Sequence, residues 1–136
     1  MSYAASSALQ AAVYQSLTGD AALAALIGDA VYDEVPAGSA PPVYVMLGTE
    51  TAMDRSDVTG TGSLHSLTIT VVSEAAGFSQ AKIVAGAVTE ALAQPMSLSR
   101  GQLVYLNFER AVARRSGSAA SVRQIDLRFR ARVDDV

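Results

Sequence analysis

Leu9, Val13 and Leu17 recur every four residues, with Ala5 and Ala12 in the same stripe, and this spacing predicts an amphipathic helix over residues 3–17. Gly19 stops it. Asp20 stands where an N-cap belongs, ahead of the apolar run 21–26, and Gly28 follows on the C-terminal side, so a short second helix completes a hairpin or kinked pair. The period then changes. Val31, Tyr32 and Asp33 read as a short strand, a turn-rich segment with Pro36, Gly38, Pro41 and Pro42 follows, and residues 43–47 read as a strand buried on both sides. Residues 64–72 alternate strictly, Leu67, Ile69 and Val71 against Ser66, Thr68 and Thr70, giving one core face and one polar face, with Gly77 closing the segment. Between these strands, residues 50–63 are polar, Gly-rich and long for a hairpin connection, so they are expected to form an exposed loop with a functional role.

Helical spacing returns at residues 78–93, where Phe78, Ala81, Val84, Ala85, Val88 and Leu92 share one side, with Ser79 as cap and Pro95 as terminator. A long hairpin ends the chain. Val104, Leu106 and Phe108 alternate in its first strand; Ile125, Leu127, Phe129, Ala131 and Val133 alternate in its second. That places Gln124, Asp126, Arg128, Arg130 and Arg132 on the opposite face. The tip, residues 113–120, is basic at its start and flexible after it. With no internal repeat or linker, the pattern predicts one α+β domain over residues 1–136. Its sheet is mostly antiparallel and four- or five-stranded, with the N-terminal helices and one central helix packed on it.

Half of the 136 residues are hydrophobic and 17% are charged, enough for a packed core without disulfides or a structural metal. The chain has no Cys and one His, which excludes thiolate chemistry and zinc-finger or iron–sulfur sites; neither metal nor cofactor is expected. No run approaches the roughly 18 residues of a membrane span. The N-terminus lacks the features of a secretion signal, so the expectation is a complete, cytosolically made chain with no membrane partner. Net charge is −3 but unevenly placed: residues 1–98 carry two cations against nine acids, a net −7, and residues 99–136 carry eight arginines against four acids, a net +4. Such asymmetry suits nucleic acid, or a self-complementary surface in which the basic part of one subunit meets the acidic part of the next.

The candidates for catalysis are thin. His65 has Ser63 on the same side of its strand but no acid identifiable from sequence, so a structural or interface histidine is preferred. Residues 59–63 resemble a phosphate loop in composition only, and the acids Asp33 and Glu34, or Asp54 and Asp57, lack calcium-loop spacing and read as solvated turns. Arg128, Arg130 and Arg132 form a row of cations at strand spacing, yet no aromatics interleave to stack bases. Pairing with acids of an adjacent subunit in a ring is therefore favoured over DNA contact, leaving open whether the row lines an interface or a lumen.

The order of segments resembles a known family. Ala8-Leu9-Gln10-Ala11-Ala12-Val13-Tyr14, Asp20-Ala21-Ala22-Leu23, Val31-Tyr32-Asp33-Glu34-Val35-Pro36 and Pro42-Val43-Tyr44-Val45-Met46-Leu47-Gly48 are similar to the tail completion, or tail terminator, proteins of long-tailed phages and phage-like gene transfer agents. His65-Ser66-Leu67-Thr68-Ile69, the helix of residues 81–92 and Ile125-Asp126-Leu127-Arg128-Phe129-Arg130-Ala131 continue the likeness along nearly the whole chain. The resemblance implies a non-enzymatic α+β subunit that assembles as a homohexameric ring capping the tail tube. Such a ring ends tube growth and docks to the head or neck. Its place would be the tail–neck junction of a virion or phage-like particle, reached from the host cytoplasm, with DNA passing through its lumen without sequence-specific binding. Its partners would be the tail tube protein and a head–tail connector or stopper protein.

The residues, not the family, suggest the contact points: Asp54, Arg55, Asp57 and Thr59 in the first loop, Arg114, Arg115 and Ser116 in the second, and Arg128, Arg130 and Arg132 at a subunit contact or lumen. Alternative readings are a connector or stopper, a nucleic-acid-binding module using Arg114, Arg115 and the arginine row, and a small enzyme requiring a pocket at His65.

Overall fold

A computed structural model describes residues 3–34, 40–56, 60–117 and 121–135. The chain runs α1 (Ala5–Thr18), α2 (Ala21–Ile27), β1 (Val31–Tyr32), β2 (Val43–Asp54), β3 (Gly62–Ser73), α3 (Ser79–Leu92), β4 (Gln102–Ser116) and β5 (Val122–Asp134). Both N-terminal helices form for the expected reasons. Ala5, Leu9, Ala12, Val13 and Leu17 are all buried along α1. Asp20 caps α2 by accepting a hydrogen bond from Leu23 N–H at 2.9 Å, and Gly28 leaves that helix at φ 64°, where a side chain would be strained.

The strands form one sheet in the order β1-β2-β3-β5-β4, with β1 parallel to β2 and every other pair antiparallel. The α+β class and the antiparallel bias follow the sequence pattern. Helices cover one face of the sheet: Leu9, Val13 and Leu17 of α1 and Ala81, Val84 and Val88 of α3 join Val45, Ile69, Val71, Leu127, Phe129 and Val133 in a single cluster. The other face carries the polar set.

Four expectations need correction. Residues 50–63 are not a loop throughout: β2 runs on to Asp54 and β3 begins at Gly62, so the paired strands of a hairpin take up much of the segment. Thr51 and Ser66 still stand opposite one another in the β2–β3 ladder, since a polar face does not prevent strand pairing. Residues 43–47 are not buried on both sides; Val45 alone is fully buried there, because no layer covers the opposite face. Ser79 is not the cap of α3, whose N-cap position is Phe78 without a side-chain hydrogen bond. In β4 the alternation breaks. Register shifts between Leu103 and Tyr105 and between Phe108 and Arg110, together with an edge position beyond the helices, leave Val104 and Phe108 about half exposed.

Phe129 is 2% exposed and packs edge-on against Phe108 at 5.8 Å, so Phe129→Ala is expected to cost about 3–5 kcal/mol in urea unfolding. Val112→Ala on the free edge should change stability by no more than about 0.5 kcal/mol.

Candidate interaction surfaces

The register fixes where the two candidate loops lie. Gly62 at the start of β3 pairs with Asp134 at the end of β5, and Asp134 pairs with Gln102 at the start of β4. At the far end, Ser73 pairs with both Val43 and Arg123, and Arg123 pairs with Arg115. The β2–β3 turn therefore sits at one end of the sheet and the β4–β5 turn at the other. Twelve residues of β3 separate them, about 40 Å of extended chain.

The first end is braced rather than free-standing. Asp54 Oδ1 accepts hydrogen bonds from the hydroxyl and the backbone N–H of Ser56, which hold its carboxyl below the usual carboxylate range. Arg55 N–H donates to Gly62 O at 2.8 Å, and Arg132 donates to Arg55 O at 3.1 Å. Asp135 N–H bonds Thr61 O at 3.0 Å, the Thr61 hydroxyl returns to Asp135 O, and Arg100 grips the Asp135 carboxylate through two nitrogens. Asp57 and Thr59 lie outside the described residues. At the second end, Arg114 and Arg115 belong to β4, and Ser116 Oγ donates to Gln124 at 3.1 Å.

The arginine row is not uniform. Arg130 pairs with Glu109 at 3.1 Å and Arg132 with Asp134 at 3.0 Å, so both are met within the chain. Arg128 faces Arg110 directly across the β4–β5 ladder, and among the described residues neither has an acidic partner. Like charges placed opposite one another destabilise a sheet, so this pair is better matched by something outside the chain. It lies in a cleft of about 660 Å³ on the uncovered face, with Thr51, Ser66, Thr68 and Arg114 in the lining. Burial works against ionisation of Asp126 in the same cleft. Hydrogen bonds from Gln124 and Thr70, together with the Arg114 guanidinium, outweigh it and hold the carboxyl below its ordinary range.

His65 has the acid that the sequence did not reveal. Its Nδ1 meets Glu50 Oε2 at 3.1 Å and its Nε2 meets Ser63 Oγ at 2.8 Å. Glu50 also accepts from Ser6 Oγ at 2.8 and 2.9 Å and from the Tyr3 hydroxyl. A serine–histidine–carboxylate order invites a catalytic reading, but Ser63 is 2% and His65 1% exposed, and a nucleophile must touch its substrate. The cluster instead ties the start of α1 to the β2–β3 hairpin. Glu50 lies 15 residues from His65, and only the strand pairing brings them together.

Glu50→Ala leaves the buried imidazole without its acceptor and is expected to cost about 2–3 kcal/mol. Amide exchange at the start of α1 should quicken with it. For Asp126, a folded carboxyl held below its unfolded value contributes stability above that value and loses it as pH falls through the folded one. Asp126→Asn should therefore destabilise by about 1 kcal/mol or less at pH 7, with the difference fading below about pH 4 in pH-dependent unfolding.

Over residues 11–134 the chain matches the family described as Tail completion protein gp17. Among solved structures it is similar to a chain of the "Virion of native gene transfer agent (GTA) particle", with 55% identity and a TM-score of 0.91 over 98% of this chain and 99% of that one. No curated protein matches it. A family match spanning most of the sequence, with a fold that agrees across almost its whole length, shows that the chain belongs to the tail completion protein gp17 family.

Proposed function

We propose that the chain is a structural assembly protein of a phage-like tail, forming a hexameric ring that caps the tail tube, ends its elongation and joins it to the head or neck. Family membership and the likeness to a gene transfer agent virion chain support the tail assignment. The observation that carries the ring reading is the placement of the two hairpin turns at opposite ends of one sheet. A capping ring must present one rim to the tube and the other to the neck, and a subunit whose strands run along the ring axis offers one turn to each. Asp54, Arg55, Asp57 and Thr59 then serve one rim; Arg114, Arg115 and Ser116 serve the other. The arginine row of the uncovered face, Arg128, Arg130 and Arg132, lies at a subunit contact or along the lumen, and Arg128, which has no acidic partner among the described residues, is the member left to meet an outside acid or phosphate.

The work of such a protein is steric. Seated on the last tube ring, it occupies the surface on which another tube subunit would add, and its far rim recruits the connector or stopper protein. No bond is made or broken.

Light scattering or native mass measurement, on the protein alone and with assembled tail tubes, is expected to give a sixfold species, free or on tube ends. A protein that remains monomeric or dimeric and ignores tubes would overturn the ring. Replacing residues 55–61 by a two-residue turn should leave the fold intact in circular dichroism while abolishing binding to one of the two partners. Arg114→Ala/Arg115→Ala should weaken the other by about tenfold or more.

A further inference from the structure

We propose that the ring closes head to tail through the two edges of the sheet, the basic β4 edge of one copy meeting the acidic β1 edge of the next. This rests on the ring reading above and names the surfaces that would build it.

The two edges differ in charge. β4 carries Arg110, Arg114 and Arg115 with Glu109 as its one acid, whereas β1 is flanked by Asp29, Asp33 and Glu34 without a cation. Among the described residues, Arg110 and Arg115 on one edge and the three acids on the other have no ion-pair partner, and all five are exposed. β4 is also a poor free edge. It runs 15 residues without Lys or Pro, exposes Phe108 and Val112, and keeps an unbroken register from Arg110 to Ser116. Edges left open in solution are blunted, so a long regular one with apolar side chains is suited to a partner.

Height decides the pairing. A closed ring has no translation along its axis, so the patches that meet must stand at the same level of the subunit. Val43, Ser73, Arg123 and Arg115 form one row across the sheet, and Asp29 lies in the turn that enters β1 toward the same end, where Val31 N–H donates to Asp29 O at 2.8 Å and Val31 pairs with Val45. Thr68, Arg128 and Arg110 form another row, at whose far end Gly48 lies against Thr68. Glu34 lies in the bend that leaves β1, whose Tyr32 pairs with Met46, two residues before Gly48. The acids at the entry and exit of β1 thus stand opposite the basic stretch of β4 that begins at Arg110, and the two edges meet with opposite charge. Beside them, Tyr3, Tyr14, Asp33 and Leu47 line a groove of about 510 Å³ that receives the apolar side chains of the incoming edge.

The test uses two charge-reversed chains, Arg110→Glu and Glu34→Arg, each checked for native circular dichroism. With tail tubes present, each alone should need at least about tenfold more protein than wild type to assemble, because like charges then face one another at every contact. An equimolar mixture should assemble as wild type does, because alternating copies restore opposite charges at every junction. Wild-type assembly with reversed chains that assemble equally well alone, or with folded reversed chains that stay apart when mixed, would overturn the edge assignment. Failure of wild type itself to assemble would instead overturn the ring.

Discussion

The antiparallel ladder between β3 and β5 is the constraint on which the rest of the molecule depends. It pairs Gly62 with Asp134 and continues without a register break to Ser73 and Arg123. Because side chains alternate along a strand, a slip of one residue would carry Leu127, Phe129 and Val133 to the uncovered face and bring Arg128, Arg130 and Arg132 against α1 and α3. The burial of those arginines without partners would cost far more than a small domain has to spare. The ladder therefore fixes at once which face is core, which ends carry turns and which rows link the outer strands.

From that register the functional geometry follows. Strands of this length set the two turns far apart, and the edge strands β1 and β4 fall at opposite sides of the sheet with opposite charge. A subunit polar in two perpendicular senses, turn against turn and edge against edge, suits a ring that has different partners above and below and the same contact repeated around it. The Glu50–His65–Ser63 cluster belongs to this architecture. It joins the N-terminal helix to the β2–β3 hairpin, so hydrogen bonds tie the helix layer to that end of the sheet.

Much of this was legible in the sequence, and the failures have physical causes. The stripe of Leu9, Val13 and Leu17, the Asp20 cap and the alternation from Leu67 to Val71 were readable because local periodicity and capping chemistry decide them. The extent of the β2–β3 hairpin was not, because Thr51, Thr61 and Gly62 have loop-like composition and only the β5 ladder beside them makes extended pairing favourable. Glu50 as the partner of His65 was hidden for the same reason. The division of the arginine row, with Arg130 and Arg132 paired internally and Arg128 set against Arg110, depends on cross-strand neighbours that no single strand's pattern reveals.

The central claim is that strands run along the axis of a sixfold ring, with one hairpin turn on each rim. Electron cryo-microscopy of the protein bound to tail tube ends tests it most directly. The account predicts six copies around the tube axis, the connection between β2 and β3 on one rim and the connection between β4 and β5 on the other. A reconstruction with both turns on the same rim, or with strands lying across the axis, would contradict it.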